Sequence, residues 1–197
     1  FMISHNACPP LVNTIYYINK SNMGPCNDDS FGSTTVEYIN HLKPDIVILA
    51  ARWPMYFGGY DDSSNEFLIA NSINDSQKIT SSISQSIKST ILGIDAKKII
   101  VILPPRELFK QNNLSQEYLM PGNYFKDLNS NYEIDRAKLK KLIINNKEVL
   151  FFDIEEKFCE DINCSLNNVQ MNFYQDTNHI SNDGADYIFN YLKLLIE

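Results

Sequence analysis

No stretch of this 197-residue chain approaches the ~18 to 20 consecutive apolar residues needed to cross a bilayer, so no membrane span is expected. The opening "FMISHN" lacks the basic region and the apolar core of a signal peptide, and the chain reads as a mature protein or as part of a longer one. Positive charge is also short, with 17 Lys and Arg against 24 Asp and Glu and a net charge of −7. Neutralising a phosphate backbone takes clustered cations, so no nucleic-acid partner is expected. The densest basic run, Lys138 with Lys140 and Lys141, reads as the wet face of a helix. Histidine is scarcer still. His5, His41 and His179 are scattered, no carboxylate cluster joins them at ligand spacing, and neither a metal nor another cofactor is expected.

What is present suits an ordinary core. At 44% hydrophobic, 197 residues can fold as one domain, and neither an internal repeat nor a low-complexity linker divides them. The four cysteines fall into two local pairs, Cys8 with Cys26 and Cys159 with Cys164. Neither pair has zinc-knuckle or thioredoxin spacing. Two local disulfides are the simplest account and imply an oxidising compartment. Three pairings are formally possible, and four buried free thiols are the alternative.

Three short apolar runs, "PDIVILAA" (44–51), "KKIIVILPP" (97–105) and "EVLFFDI" (148–154), read as strands buried on both faces. Helical patterns lie between them. "TTVEYINHLK" places Val36, Ile39 and Leu42 on one face, with Ser33 or Thr34 as cap. "QKITSSISQSIKSTILG" repeats Ile79, Ile83, Ile87 and Ile91 and ends at Gly93. "DRAKLKKLIINN" supplies Leu139, Leu142 and Ile143, and a last helix after Ser181 is expected to bury Ala185, Ile188, Leu192 and Leu195. This alternation predicts parallel strands and helices on both faces, a three-layer α/β arrangement with its site beyond the carboxyl ends of the strands. "ARWPMYFGGY" and "PPRELF" follow two of those ends. The 106–135 stretch is longer than a simple connection and suits a lid or an acceptor surface.

The chemistry concentrates in "YQDTNHISNDGA". Asp176 can fold back to accept the Nδ1 proton of His179, leaving Nε2 as a general base, while Ser181 caps the helix that follows. The pair reads as the acid–base half of a serine hydrolase site. His41 falls on the polar side of its helix.

In order along the chain, "ACPPL" with a second cysteine at Cys26, "PDIVILAARWPMY", a cysteine pair and "YQDTNHISNDGADYI" resemble the SGNH-type domains attached to acyltransferase-3 membrane proteins, which O-acetylate bacterial surface polysaccharides such as the lipopolysaccharide O-antigen. The resemblance covers nearly the whole chain, with Ile180 where that family usually has Leu. It implies a flavodoxin-like SGNH hydrolase fold in a single domain, 1–197, starting after the family's first strand and helix. The family's nucleophile lies in a G-D-S-H element on that first strand, and only seven residues precede Cys8. Ser4 is too close to "CPPL" and lacks the preceding Gly-Asp, so Phe1 to Ile3 read as the second strand and the serine is expected upstream. The resemblance also implies acyl transfer through a serine ester, with Asp176 and His179 catalytic and Arg52 and Trp53 at the lip of the site. Arg52 would stabilise an oxyanion or grip an anionic sugar, because "AARW" replaces the family's usual Asn block. Trp53, Tyr56 and Tyr60 would offer a stacking platform. The implied partners are a polysaccharide acceptor and an acyltransferase-3 membrane domain in the same polypeptide. The implied location is the periplasm, tethered to the inner membrane. A carbohydrate esterase using the same residues and a noncatalytic glycan-binding domain are the alternatives.

Overall fold

The computed structural model describes residues 2–3, 10–13, 16–18, 22–23, 30–51, 53, 67–69, 76–105, 149–160, 163–164, 167–168, 171–175 and 179–197. The chain groups into two units, Phe1–Val101 with Tyr132–Phe151 and Ile102–Asn131 with Phe152–Glu197. The three runs read as buried strands are strands: β3 (Ile46–Ala50), β5 (Lys98–Leu103) and β6 (Val149–Asp153), in the order β3-β5-β6. The Lys98 N–H donates to the Asp45 carbonyl at 3.0 Å where β3 and β5 begin, and the Ile154 N–H donates to the Leu103 carbonyl at 3.2 Å where β5 and β6 end. Neighbours that begin and end together run the same way, so the sheet is parallel and the fold is α/β.

Burial separates the strands. β5 is central, and Ile99, Ile100, Val101 and Leu103 are buried on both of its faces. β3 alternates instead: Val47 and Leu49 are buried while Ile48 is 41% exposed and Ala50 faces solvent. The expectation of two covered faces is therefore corrected for β3. It lies at the edge of the described sheet, where only one face and one side have a neighbour.

In the first unit, α1 (Ser30–Leu42) starts a turn earlier than the expected cap, so Ser33 and Thr34 lie inside it. Its buried face runs through Gly32, Thr35 and Ile39, with Val36 and Leu42 at the margin. The cause is a close approach: a Cβ on Gly32 would stand 2.0 Å from the Leu11 carbonyl oxygen. Leu11, in the "CPPL" segment, is itself fully buried. The Val12 N–H donates to Thr90 Oγ1 at 2.9 Å, and Thr90 Oγ1 donates to the Ser86 carbonyl at 2.7 Å. Ser86 and Thr90 belong to α2 (Ser76–Gly93), so residues 11 and 12 meet both helices. Ile87 and Ile91 of α2 are buried as their spacing predicts.

The helix ends follow from local chemistry. Lys43 takes the left-handed conformation (φ 48°) and donates its N–H to the Ile39 carbonyl at 3.0 Å, closing α1 before Pro44. α2 stops at Gly93, as expected, where the Asn40 side chain donates to the Gly93 carbonyl at 2.8 Å and accepts the Asp95 N–H at 2.7 Å. Lys97 Nζ lies 2.7 Å from Asp45 Oδ1. Their hydrogen bond, with the pair's mutual attraction, lowers the Asp45 pKa and raises that of Lys97, and salt screens so exposed a contact.

A second sheet has no counterpart in the sequence reading. β1 (Tyr16–Ile18) lies between β2 (Asn22–Met23) and β4 (Phe67–Ile69), all antiparallel, with Tyr17 opposite Met23 and Leu68. Conversely, Met2 and Ile3 are not strand. They are exposed, Met2 at 88%, because an extended segment becomes a strand only on a ladder partner and no described strand supplies one. Phe1, the helix expected over 135–146 and the 106–135 excursion lie outside the described residues. Among those that are described, no helix is long and apolar enough to cross a membrane.

In the second unit, β6 leads into the single turn α3 (Glu155–Phe158), and two short hairpins follow. β7 (Cys159–Glu160) pairs with β8 (Asn163–Cys164), which sets the backbones of Cys159 and Cys164 opposite each other, and β9 (Asn167–Asn168) pairs with β10 (Met171–Asn172). α4 (Asn182–Ile196) ends the unit. Its buried positions are Gly184 and Ile188, with Leu192 and Leu195 half-buried. Ala185, expected in the core, is exposed, because the helix turns its Gly184 side onto the preceding chain.

Candidate active site

Ser181 caps α4 as its sequence position predicts. It is extended (φ −73°, ψ 171°), its Oγ accepts the Gly184 N–H at 3.0 Å, and its carbonyl accepts the Ala185 N–H at 2.8 Å. Just before the cap the chain doubles back on itself. The Ser181 N–H donates to the Phe173 carbonyl at 2.9 Å, the Gln175 N–H donates to the His179 carbonyl at 2.9 Å, and Tyr174 faces Ile180 across an antiparallel bridge. These rungs pair 173–175 with 179–181 in antiparallel fashion, and His179 is exposed. Residues 176–178, Asp176 among them, lie outside the described residues, and so does any contact Asp176 makes with His179.

The hairpin and the helix meet at one carbonyl. A Cβ on Gly184 would stand 2.4 Å from the Phe173 oxygen and 3.0 Å from its carbon, so only glycine lets the first turn of α4 lie against that peptide. Below it the Phe173 ring stacks on Phe158, with centroids 4.5 Å apart and planes within 2°, and on Tyr187 at 5.0 Å. Tyr174 tilts against Phe158 at 5.7 Å, and Tyr187 meets Tyr191 edge-on at 5.3 Å. The phenol oxygens of Tyr187 and Tyr191 are hydrogen-bonded at 3.2 Å, which with partial burial raises the Tyr187 pKa. Lys157 Nζ lies 5.1 Å from the centre of the Tyr191 ring, within cation–π range.

The remaining candidates are placed as follows. Trp53, three residues past the carboxyl end of β3, is 2% exposed, so its ring is an anchor and does not present a face to solvent. Arg52, Ser4, His5, Tyr56 and Tyr60 lie outside the described residues, and His41 is exposed on α1. Two carboxylates were not singled out by the sequence. Asp153 ends β6 and Glu155 opens α3; both are buried, and Asp153 Oδ1 accepts the Glu155 N–H at 3.1 Å. Their signal is "FFDIEE", an acid directly after a buried strand, at the strand end where parallel sheets carry function. The hydrogen bond makes Asp153 a cap for the α3 turn.

Residues 1–193 match the family described as SGNH domain (fused to AT3 domains), and the chain belongs to that family. A solved structure, the Salmonella ser. Paratyphi A lipopolysaccharide acetyltransferase periplasmic domain, shares the fold with a TM-score of 0.52 at 15% sequence identity. The similarity covers 95% of this chain and 68% of that one. No curated protein matches the sequence.

Proposed function

We propose that this chain is the extracytoplasmic part of an O-acyltransferase that moves an acyl group, acetyl by kinship, onto a hydroxyl of a bacterial surface polysaccharide. The observation that carries the proposal is the backbone pairing before α4, where the Gln175 N–H donates to the His179 carbonyl and so holds His179 close to the chain position that Asp176 follows in sequence. Asp176 accepts the Nδ1 proton of His179 and holds the ring in one tautomer. Nε2 then takes the proton of a serine hydroxyl as its oxygen bonds to the donor's acyl carbon, and returns the proton to the leaving group. The sugar hydroxyl, deprotonated by the same nitrogen, attacks the ester and releases the serine.

The serine comes from a strand outside residues 1–197 that pairs beside β3. The edge of β3 that no described strand pairs with, and the exposed Ile48, support this, since parallel sheets are ordinarily covered on both faces. The acyl group reaches that serine from an acyltransferase-3 membrane domain in the same polypeptide, on the periplasmic side of the inner membrane, consistent with a family described as fused to such domains. The whole forms one SGNH-type domain. The test is incubation of the complete polypeptide with an acyl donor and polysaccharide. Acylated glycan supports the proposal; release of free acid alone would make the domain an esterase, and glycan binding without turnover would make it a noncatalytic module.

Arg52 contributes a cation to the oxyanion or to an anionic sugar, next in sequence to the buried Trp53. Arg52→Ala lowers the rate of transfer by roughly 10²-fold, the scale of losing one oxyanion donor. An unchanged rate removes Arg52 from the mechanism. In the same compartment Cys159 forms a disulfide with Cys164 across the β7–β8 hairpin, where opposed Cα atoms lie in the range a disulfide needs, and Cys8 pairs with Cys26. None of the four cysteines is then alkylated before reduction and all four are alkylated after it; alkylation of the unreduced protein contradicts the pairing.

A further inference from the structure

We propose that the stacked rings of Phe158, Phe173 and Tyr187 are the support that positions His179. The inference rests on the reading of His179 as the general base.

Among the described residues, two backbone hydrogen bonds flank the Tyr174–Ile180 bridge of the hairpin that carries His179. Backbone pairing over so short a stretch contributes little net stability in water, so packing beneath it adds to its support. Residue 173 is where the two meet. Its carbonyl takes the Ser181 N–H and abuts Gly184, and its ring stacks on Phe158 and packs on Tyr187, which closes a three-ring cluster by lying 6.4 Å from Phe158. Phe158 and Phe173 are both buried, so neither ring can turn away without opening a cavity. Fixing the ring fixes the carbonyl, the carbonyl fixes Ser181, and Ser181 lies two residues past His179. Tyr187 comes from α4 itself, so the same stack ties the helix that Ser181 caps to the strand that holds the hairpin closed. None of the three rings need touch substrate for this.

The test compares Phe158→Leu with Phe152→Leu in the 197-residue chain. Both remove a buried ring of the second unit, but Phe152 belongs to β6. The readouts are amide hydrogen exchange at Gln175 and Ser181 and the imidazole proton resonances of His179. Phe158→Leu speeds exchange at both amides by about tenfold more than Phe152→Leu does, the scale of a lost aromatic stack, and shifts or splits the His179 resonances. Tyr187→Leu, which removes the third ring of the cluster at a half-buried position, gives the same pattern and serves if Phe158→Leu does not fold. If Phe158→Leu and Tyr187→Leu leave the two amides and the imidazole where Phe152→Leu leaves them, the stack does not position His179 and the proposal is overturned. These readouts need no turnover, so they separate a failure of the support from a failure of the catalytic reading, which His179→Ala tests.

Discussion

His179→Ala in the complete polypeptide lowers acyl transfer by roughly 10⁴-fold or more, the loss expected when the base of a serine triad is removed and only binding and the oxyanion site remain. The folded state should scarcely notice. His179 is exposed, and alanine keeps the backbone carbonyl that accepts the Gln175 N–H. Unfolding stability therefore stays within about 0.5 kcal/mol of the parent. Asp176→Asn has a comparable effect on rate, since an amide presents the wrong partner to Nδ1 and releases the ring into its other tautomer. Both variants are assayed for transfer to polysaccharide and for thermal unfolding. Full transfer by His179→Ala would remove the residue from the chemistry.

Gly32→Ala destabilises the chain by about 3 kcal/mol or more, at the upper end of single substitutions, because the new methyl meets only backbone. Its three nearest neighbours are the Leu11 oxygen at 2.0 Å, the Leu11 carbon at 2.3 Å and the Val12 nitrogen at 2.8 Å. None belongs to a side chain that could rotate away. Relief requires either α1 or the 11–13 segment to move, and the Val12 N–H is bonded to Thr90 on α2. The loss corresponds to a fall in melting temperature of roughly 6–12 °C for a domain of this size. Gly93→Ala is the matched control. Its methyl would meet nothing nearer than Val36 Cγ1 at 3.4 Å, and it should cost little. Equal melting temperatures for the two variants would contradict the packing described for Gly32.

The three long strands were legible because each is a continuous run of β-branched and aliphatic residues, and Gly93 and Ser181 marked helix ends by their own chemistry. The open face of β3 was not, since "IVILA" reads alike whether one side or both are covered; exposure is set by neighbours far away in sequence. The register of α1 was misjudged for a related reason. Its buried face is led by Gly32 and Thr35, residues without apolar bulk, and only the approach of Leu11 makes them core. Strands of two or three residues, such as β7 to β10, carry no period to detect. Met2 and Ile3 show the converse, apolar residues with strand character and no partner strand among the described residues. At the site, "DTNHISNDGA" announced the Ser181 cap, which the structure shows, and pointed to Asp176 and His179 as the proposed acid and base, whereas Phe158 and Phe173 read as ordinary core. Their meeting depends on how the chain between them folds, and fifteen residues of separation give no hint of a parallel stack.

The most direct test of the central claim, a serine ester formed by a base on this chain, is the intact mass of the complete polypeptide after exposure to a fluorophosphonate, with His179→Ala alongside. The expected result is one covalent adduct on a serine outside residues 1–197, formed in the parent and nearly absent in the variant. No adduct, or one that forms equally well without His179, would contradict it.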